Sequence, residues 1–309
     1  MYQEKLQKVQ DEVNRVIKGK ENVVLKVLAA MIGGGHILME DIPGVGKTTL
    51  ATTFAKVLSL EYHRVQFTPD VLPSDLLGFS MYNNQSGQFE FHEGSIFCNL
   101  FLADEINRTS PKTQSALLEV MEEHQASVEG ETRKLPEPFI VIATQNPIGS
   151  SGTQMLPESQ LDRFLVCLSM GYPEHEDAVD LLKGEVWNQV ASLQQVLSLD
   201  ELQNARQAAA QIFVHDAVYE YIVSLVETTR TDERFSMGAS PRASIALLRM
   251  ARAMALLAGR DFVTPKDVQS VLTEVLGHRV KLSARARAEG KNMRDCIKEL
   301  LQEVKSPRC

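Results

Sequence analysis

Five short apolar runs punctuate the first 175 positions, at 36–40 (HILME), 63–67 (HRVQF), 99–103 (NLFLA), 139–144 (FIVIAT) and 164–169 (FLVCLS). Each has the length of a buried strand, and amphipathic stretches with a helical period separate most of them. That alternation predicts a doubly wound α/β unit with a mainly parallel five-stranded sheet. Two segments interrupt it. Residues 80–97 place Asn-Asn-Gln-Ser-Gly between Tyr82 and the alternating Phe89-Glu90-Phe91, and residues 126–135 place Glu129-Gly130 between two short strand-like arms. Both predict β-hairpins projecting from the core. After Pro173 the pattern turns helical almost throughout. Ser198-Leu199-Asp200-Glu201 is a capping box, and Thr264-Pro265-Lys266-Asp267 opens another helix with Pro at its first position and an acid suited to the N-terminus. Amphipathic stretches fill 217–229 and 243–258, where Met250, Met254 and Leu257 read as a core stripe. The change of character near 173–198 divides the chain into an α/β core over 1–190 and an all-helical unit over 191–309.

Composition adds constraints to this picture. The 309 residues are 44% apolar and 23% charged, as in ordinary globular proteins, with a net charge of −8. That balance argues against a surface devoted to nucleic acid. The charge is uneven: residues 278–309 carry +5 and the rest −13. The basic end reads as a solvated helix face or as a docking surface for an acidic partner. No apolar run approaches the roughly 18 residues of a membrane span, and the charged opening MYQEKLQKVQDEV lacks a signal-peptide core. Cys98, Cys167, Cys296 and Cys309 show no CxxC spacing, which suits reduced thiols in the cytoplasm. Neither His92-Glu93 nor His175-Glu176 continues to HExxH, which argues against a zinc protease. His36, just before a strand, reads as a satisfied core-edge group.

The chemistry concentrates in three places. Asp41-Ile42-Pro43-Gly44-Val45-Gly46-Lys47-Thr48 follows the strand HILME and precedes a helix opening at Thr49. A strand–glycine loop–helix is what a phosphate cradle requires: glycines let backbone N–H groups converge, and the helix N-terminus adds its positive dipole end. Lys47 would reach the β- and γ-phosphates, and the Thr48 hydroxyl would hold Mg2+. The strict GxxxxGK[ST] pattern asks for Gly at 41, where this chain has Asp. Next, the strand NLFLA ends in Asp104-Glu105, where ligands bind in open α/β sheets. Asp104 can anchor Mg2+ through water, and Glu105 can polarise an attacking water. The strand FIVIAT ends in Gln145-Asn146-Pro147, a polar group that could hold water or phosphate, or simply a turn. An Asn-Lys-x-Asp motif for guanine is absent there, which favours adenine.

Taken together, IPGVGKT (42–48), LADEINRTSPKTQSALLEVMEE (102–123), VIATQNP (141–147), LPESQLDRF (156–164), GASPRA (238–243) and VTPKDV (263–268) resemble the MoxR family of AAA+ ATPases over almost the whole chain. The resemblance implies an AAA+ P-loop core with hairpin insertions, followed by a helical lid. In it Lys47 and Thr48 match Walker A, with Pro43, Gly44, Val45, Gly46 and Thr49 around the phosphates. Asp104 and Glu105 match Walker B, and Asn146 matches sensor 1. Arg163 sits where an arginine finger is expected, and Arg242 matches sensor 2 on the lid, bringing a second cation as the lid closes. Ile17 and Gly19, in Val16-Ile17-Lys18-Gly19, match the element beside adenine. ATP and Mg2+ are the implied ligands. The implied partners are other copies in a ring, a hexamer, and clients with von Willebrand factor A domains, remodelled in a chaperone-like way.

The chain departs from the family at Gly149-Ser150-Ser151, at Gln154-Met155 and at Ser95, where Pro is common. Arg163 could instead pair with Asp162 or Glu158, and Arg108 with a local acid. A DNA-remodelling motor is the alternative, although residues 80–97 hold no Lys or Arg and 126–135 hold only Arg133 and Lys134. A non-hydrolysing ATP-dependent scaffold is a further one, against which Glu105 and Asn146 both stand.

Overall fold

The computed structural model describes residues 2–146, 155–183 and 189–308. Helices α1 (Tyr2–Val16) and α2 (Glu21–Ile32) come first. The α/β segment then runs β1 (Ile37–Glu40), α3 (Lys47–Val57), β2 (Tyr62–Gln66), α4 (Pro73–Leu77), β3 (Gly78–Asn83), β4 (Gln88–Glu93), β5 (Leu100–Asp104), α5 (Pro111–Glu123), β6 (Gln125–Val128), β7 (Glu131–Lys134), β8 (Ile140–Gln145), α6 (Glu158–Leu161), β9 (Val166–Leu168) and α7 (His175–Leu182). Five strands pair in the order β2-β5-β8-β1-β9, every pair parallel. All their carboxyl ends therefore open on one edge.

The apolar runs are continuous because the sheet is covered on both faces. Alternate residues divide between two cores. Leu100, Leu102, Ile140 and Ile142 join the core with α1, α2 and α3, while Phe101, Ala103, Val141 and Ala143 join the core with α4 and α5. Both hairpins form, β3 with β4 and β6 with β7. On the first, Tyr82 and Phe89 face each other across the strands at 5.4 Å, and Phe89 is 73% exposed. Ser95 donates from both its N–H (3.1 Å) and its hydroxyl (3.0 Å) to the Asp75 carbonyl, a pair of bonds that a Pro there could not make.

The remainder is helical: α8 (Leu199–Ala210), α9 (Asp216–Thr231), α10 (Pro241–Leu257), α11 (Pro265–Leu276), α12 (Ala284–Ala288) and α13 (Met293–Glu303). The Ser198 capping box closes as expected, with reciprocal bonds to Glu201 of 3.2 and 3.0 Å. Met250 and Leu257 are buried and Met254 packs against the same core. A small antiparallel pair, β10 (Phe235–Met237) with β11 (Lys281–Leu282), interrupts the helices. Strands of two and three residues carry no readable period. One apolar cluster runs from α1 and α2 into α8–α11, so the change near 173–198 is not a gap in packing. Part of the basic end is held in ion pairs, with Arg279 on Asp162, Lys281 on Glu158, Arg285 on Glu233 and Lys291 on Glu299. Among the described residues, Cys98, Cys167 and Cys296 are free thiols, and no helix is long and apolar enough to cross a membrane.

His36 links β1 to its surroundings. It is 5% exposed, its Nε2 donates to the Met121 carbonyl (2.9 Å), and its Nδ1 accepts the Val141 N–H (3.0 Å), which assigns the neutral tautomer. Burial lowers its pKa from 6.5 to about 4. Below pH 6.5 the unfolded chain takes a proton that the folded one refuses, so stability falls as pH drops through the window from 6.5 to 4. Between pH 7 and 5 this one group should lower the unfolding free energy by about 2 kcal/mol. Urea titrations at the two pH values should show that loss in the parent and a shallower pH dependence in His36→Asn.

Candidate nucleotide site

Residues 41–46 link β1 to α3. Gly44 (φ 87°) and Gly46 (φ 95°) both occupy the left-handed region, and Gly46 caps α3, so the first N–H groups of that helix face the opening. A Cβ on Gly44 would meet nothing within 4 Å, so the glycine serves backbone conformation there and not packing. Asp41, which stands where the strict motif has Gly, is 5% exposed and lines the cavity beside the loop, while its carboxylate is held by the chain after β9. Its carboxylate accepts the Ser169 hydroxyl (2.7 Å) and the backbone N–H groups of Met170 (2.6 Å) and Gly171 (3.0 Å). It thereby ties the loop to the chain leaving β9. Lys47 Nζ donates to the carbonyls of Asp41 (2.9 Å) and Ile42 (3.4 Å). Burial lowers its pKa, against the opposing pull of Asp41, Asp104 and Glu105.

Facing the loop across a cavity of about 370 Å³ are Asp104, Glu105 and Asn146, together with Arg64 and Gln66 of β2. Asp104 accepts the Thr144 hydroxyl (2.7 Å) on one oxygen and Arg64 (2.7 Å) on the other. Thr144 in turn accepts the Glu105 N–H (2.9 Å). Glu105 is a non-glycine residue at φ 57°, a conformation that costs on the order of 1 kcal/mol and collects at functional sites. Its carboxylate receives Gln66 Nε2 (2.8 Å) and Arg108 Nη1 (2.6 Å). Arg108 is therefore in a local ion pair. The Asn146 carbonyl accepts Asn107 Nδ2 (3.4 Å). Residues 147–154, with Pro147, Gly149-Ser150-Ser151 and Gln154, lie outside the described residues.

Pro43, Thr48 and Thr49 also line this cavity, and Val45 packs against the core. Met170, which lies 3.7 Å from the Cβ position of Gly46, leads into a neighbouring cleft of about 510 Å³ between Gly19 and the lid residues Thr273, Gly277 and Met293. Gly19 holds φ 66°, and a Cβ there would meet the Asp177 carboxylate at 2.2 Å. The Ile17 side chain is buried in the core, so only its backbone can meet a ligand. For a divalent cation, the Thr48 hydroxyl and the Asp104 carboxylate are hard oxygen donors. Among the described residues no three His, Cys, Asp or Glu side chains converge on one point, so phosphate oxygens and water would complete such a shell.

Arg163 and Arg242 are not in this cavity. Both stand in a different cleft, of about 290 Å³, at the C-terminal end of α5. Arg163 Nε is 3.1 Å from Glu122 Oε2, and Arg242 pairs with the other oxygen of Glu122. The sequence-based partners of Arg163 are engaged elsewhere, Asp162 with Arg279 (2.9 Å) and Ser240 (2.8 Å), Glu158 with Lys281. Arg242, which the family resemblance implies would bring a second cation as the lid closes, thus lies outside the cavity beside its own chain's glycine loop. The cap of α10, Ser240, is bonded to Asp162, which fixes Arg242 beside Arg163. Sequence reasoning also missed Arg64, Gln66, Thr144 and Glu122. Of these only Thr144, a hydroxyl inside an apolar strand, gave a local signal.

A glycine loop at a helix N-terminus, facing a strand-end Asp-Glu pair under a helical lid, defines an AAA-type nucleotide-binding protein. The family model described as "ATPase family associated with various cellular activities (AAA)" matches residues 36–166, and the AAA lid domain model matches 227–300. The chain is 44% identical to the uncharacterized protein YeaC of Bacillus subtilis (strain 168), over 99% of this chain and 97% of that one. It is 40% identical to Chaperone MoxR1 of Mycobacterium tuberculosis, over 96% and 81% respectively. A crystal structure described as that of a "putative ATPase" from Cytophaga hutchinsonii ATCC 33406 superposes with a TM-score of 0.92 at 38% identity, covering 99% of this chain and 96% of that one. The chain belongs to the MoxR family of AAA+ ATPases.

Proposed function

We propose that this protein is a Mg2+-dependent ATPase whose site is completed between subunits, and that hydrolysis drives chaperone-like remodelling of partner proteins. The observation that carries this reading is the separation of the two arginines from the phosphate loop of their own chain. Phosphoryl transfer needs positive charge at the γ-phosphate, and within one chain the phosphate cavity offers Lys47 and Arg64 but neither Arg163 nor Arg242. A ring, a hexamer on the family's pattern, would bring one subunit's arginine cleft to the next subunit's loop.

Within the cavity, Lys47 would exchange its two carbonyls for phosphate oxygens, the stronger acceptors. Thr48 and Asp104 would hold Mg2+, which when bound draws negative charge off the phosphates. Glu105 would take the proton of the attacking water, with Gln66 and Arg108 setting its direction, and Asn146 would orient that water. The core over 1–190 and the lid over 191–309 would shift against each other with nucleotide state. The relative named Chaperone MoxR1 supports the chaperone side of this reading; clients with von Willebrand factor A domains, met in the cytoplasm, are what the family resemblance implies. A DNA motor is less well supported: the β3–β4 hairpin has no Lys or Arg, and Arg133 on the other hairpin is engaged, 3.8 Å from the Phe91 ring centroid and paired with Glu131.

Mg-ATP hydrolysis per subunit, measured from nanomolar to micromolar protein, should rise several-fold with concentration as subunits associate. A flat profile would remove the between-subunit reading.

A further inference from the structure

We infer that Glu122 is a positioning residue for the paired arginines: its carboxylate holds Arg163 and Arg242 side by side on the face that enters the neighbouring subunit's site. The inference rests on the between-subunit reading above. Each Glu122 oxygen meets a different guanidinium, Oε2 with Arg163 Nε at 3.1 Å and Oε1 with Arg242. Arg249 and Arg279 line the same cleft, so four guanidiniums share it with two carboxylates, Glu122 and Asp162. Asp162 is occupied by Arg279 and Ser240. Glu122 is therefore the counter-charge that lets Arg163 and Arg242 approach each other.

The anchoring and the weakness of this contact both matter. Glu122 lies in the last turn of α5, and the preceding residue is fixed through the His36–Met121 bond (2.9 Å) to β1, the strand that carries the phosphate loop. The carboxylate thus has a defined position relative to the fold. Its side chain is 41% exposed, and Arg163 Nε has no aligned hydrogen bond despite the short distance. Exposed ion pairs are weak, so a triphosphate can displace Glu122 from both arginines. Glu122 presets their direction without locking them.

The test compares Glu122→Gln, Glu122→Asp and Arg163→Ala, with steady-state kinetics, affinity for a fluorescent ATP analogue and thermal melting. In Glu122→Gln, kcat should fall roughly 10- to 100-fold, the loss a misdirected group produces, with KM, analogue affinity and melting temperature unchanged. Glu122→Asp should recover part of kcat. Mixing Glu122→Gln with Lys47→Ala should also restore activity, because the second variant supplies an intact arginine cleft to the first one's intact loop. A kcat at or above the parent level in Glu122→Gln, while Arg163→Ala is inactive, overturns the positioning role and leaves the between-subunit reading standing. A fall in kcat accompanied by a lower melting temperature, or not rescued by mixing, assigns Glu122 a structural role and equally overturns it. Full activity in Arg163→Ala strikes the underlying reading itself.

Discussion

Glu105→Gln is expected to lower ATP turnover by roughly 10²- to 10⁴-fold, the span attributed to a general base, while leaving ATP binding close to that of the parent. The amide keeps the size of the side chain and can still accept a hydrogen bond from Gln66 or Arg108, which lie 2.8 and 2.6 Å from the carboxylate in the parent. It cannot take a proton from water. Binding should survive because the loop from Gly44 to Thr48, proposed to cradle the phosphates, makes no hydrogen bond to the Glu105 side chain, which is held by Gln66 and Arg108. Residue 105 also sits at φ 57°, stabilised by its N–H bond to Thr144, and Gln tolerates that backbone no worse than Glu. Turnover by rapid phosphate release, beside equilibrium binding of a fluorescent analogue, separates the two effects. Unchanged turnover would remove Glu105 as the base, and lost binding would show that its charge organises the cavity instead.

The central strands were legible because they are covered on both faces, which forces continuous apolar runs such as FIVIAT, and the β8 residues from Ile140 to Gln145 are all buried. The phosphate loop was legible for a different reason: Gly44 and Gly46 adopt backbone angles that other residues resist, so the motif is written in composition itself. Asp41 shows the limit of that logic. By pattern it is a departure, and only the fold brings Ser169, Met170 and Gly171 to its carboxylate from 128 to 130 residues away. The same holds for Glu122 and Arg242, separated by 120 residues and joined by an ion pair. A local pattern can mark an arginine at a helix start, but which cleft that helix start faces is decided by tertiary packing. Arg64 and Gln66 were hidden in another way, since on β2 they look like the solvent-facing alternation of an edge strand, and their place at its carboxyl end is what turns them toward Asp104 and Glu105.

Arg163→Ala is expected to reduce turnover by roughly 10³- to 10⁵-fold if its guanidinium serves a neighbour's γ-phosphate, the range for an arginine supplied in trans. A loss of that size cannot come from its contact in the free chain, because a partly exposed pair with Glu122 is worth under about 1 kcal/mol. The decisive result is a mixture. Arg163→Ala subunits keep an intact phosphate loop, and Lys47→Ala subunits keep an intact arginine cleft; each alone should be inactive. Combined at equal concentration, some interfaces pair a sound loop with a sound cleft, and part of the parent activity should return. The recovered rate should depend on total protein concentration, since dilution separates the subunits, and should fall with excess of either variant. If Arg163→Ala keeps parent activity, each chain hydrolyses ATP alone, and the distance between its arginine cleft and its phosphate loop needs a different explanation. If both variants are dead and no mixture revives them, Arg163 acts within its own chain, after a rearrangement of the lid large enough to carry α10 away from Asp162.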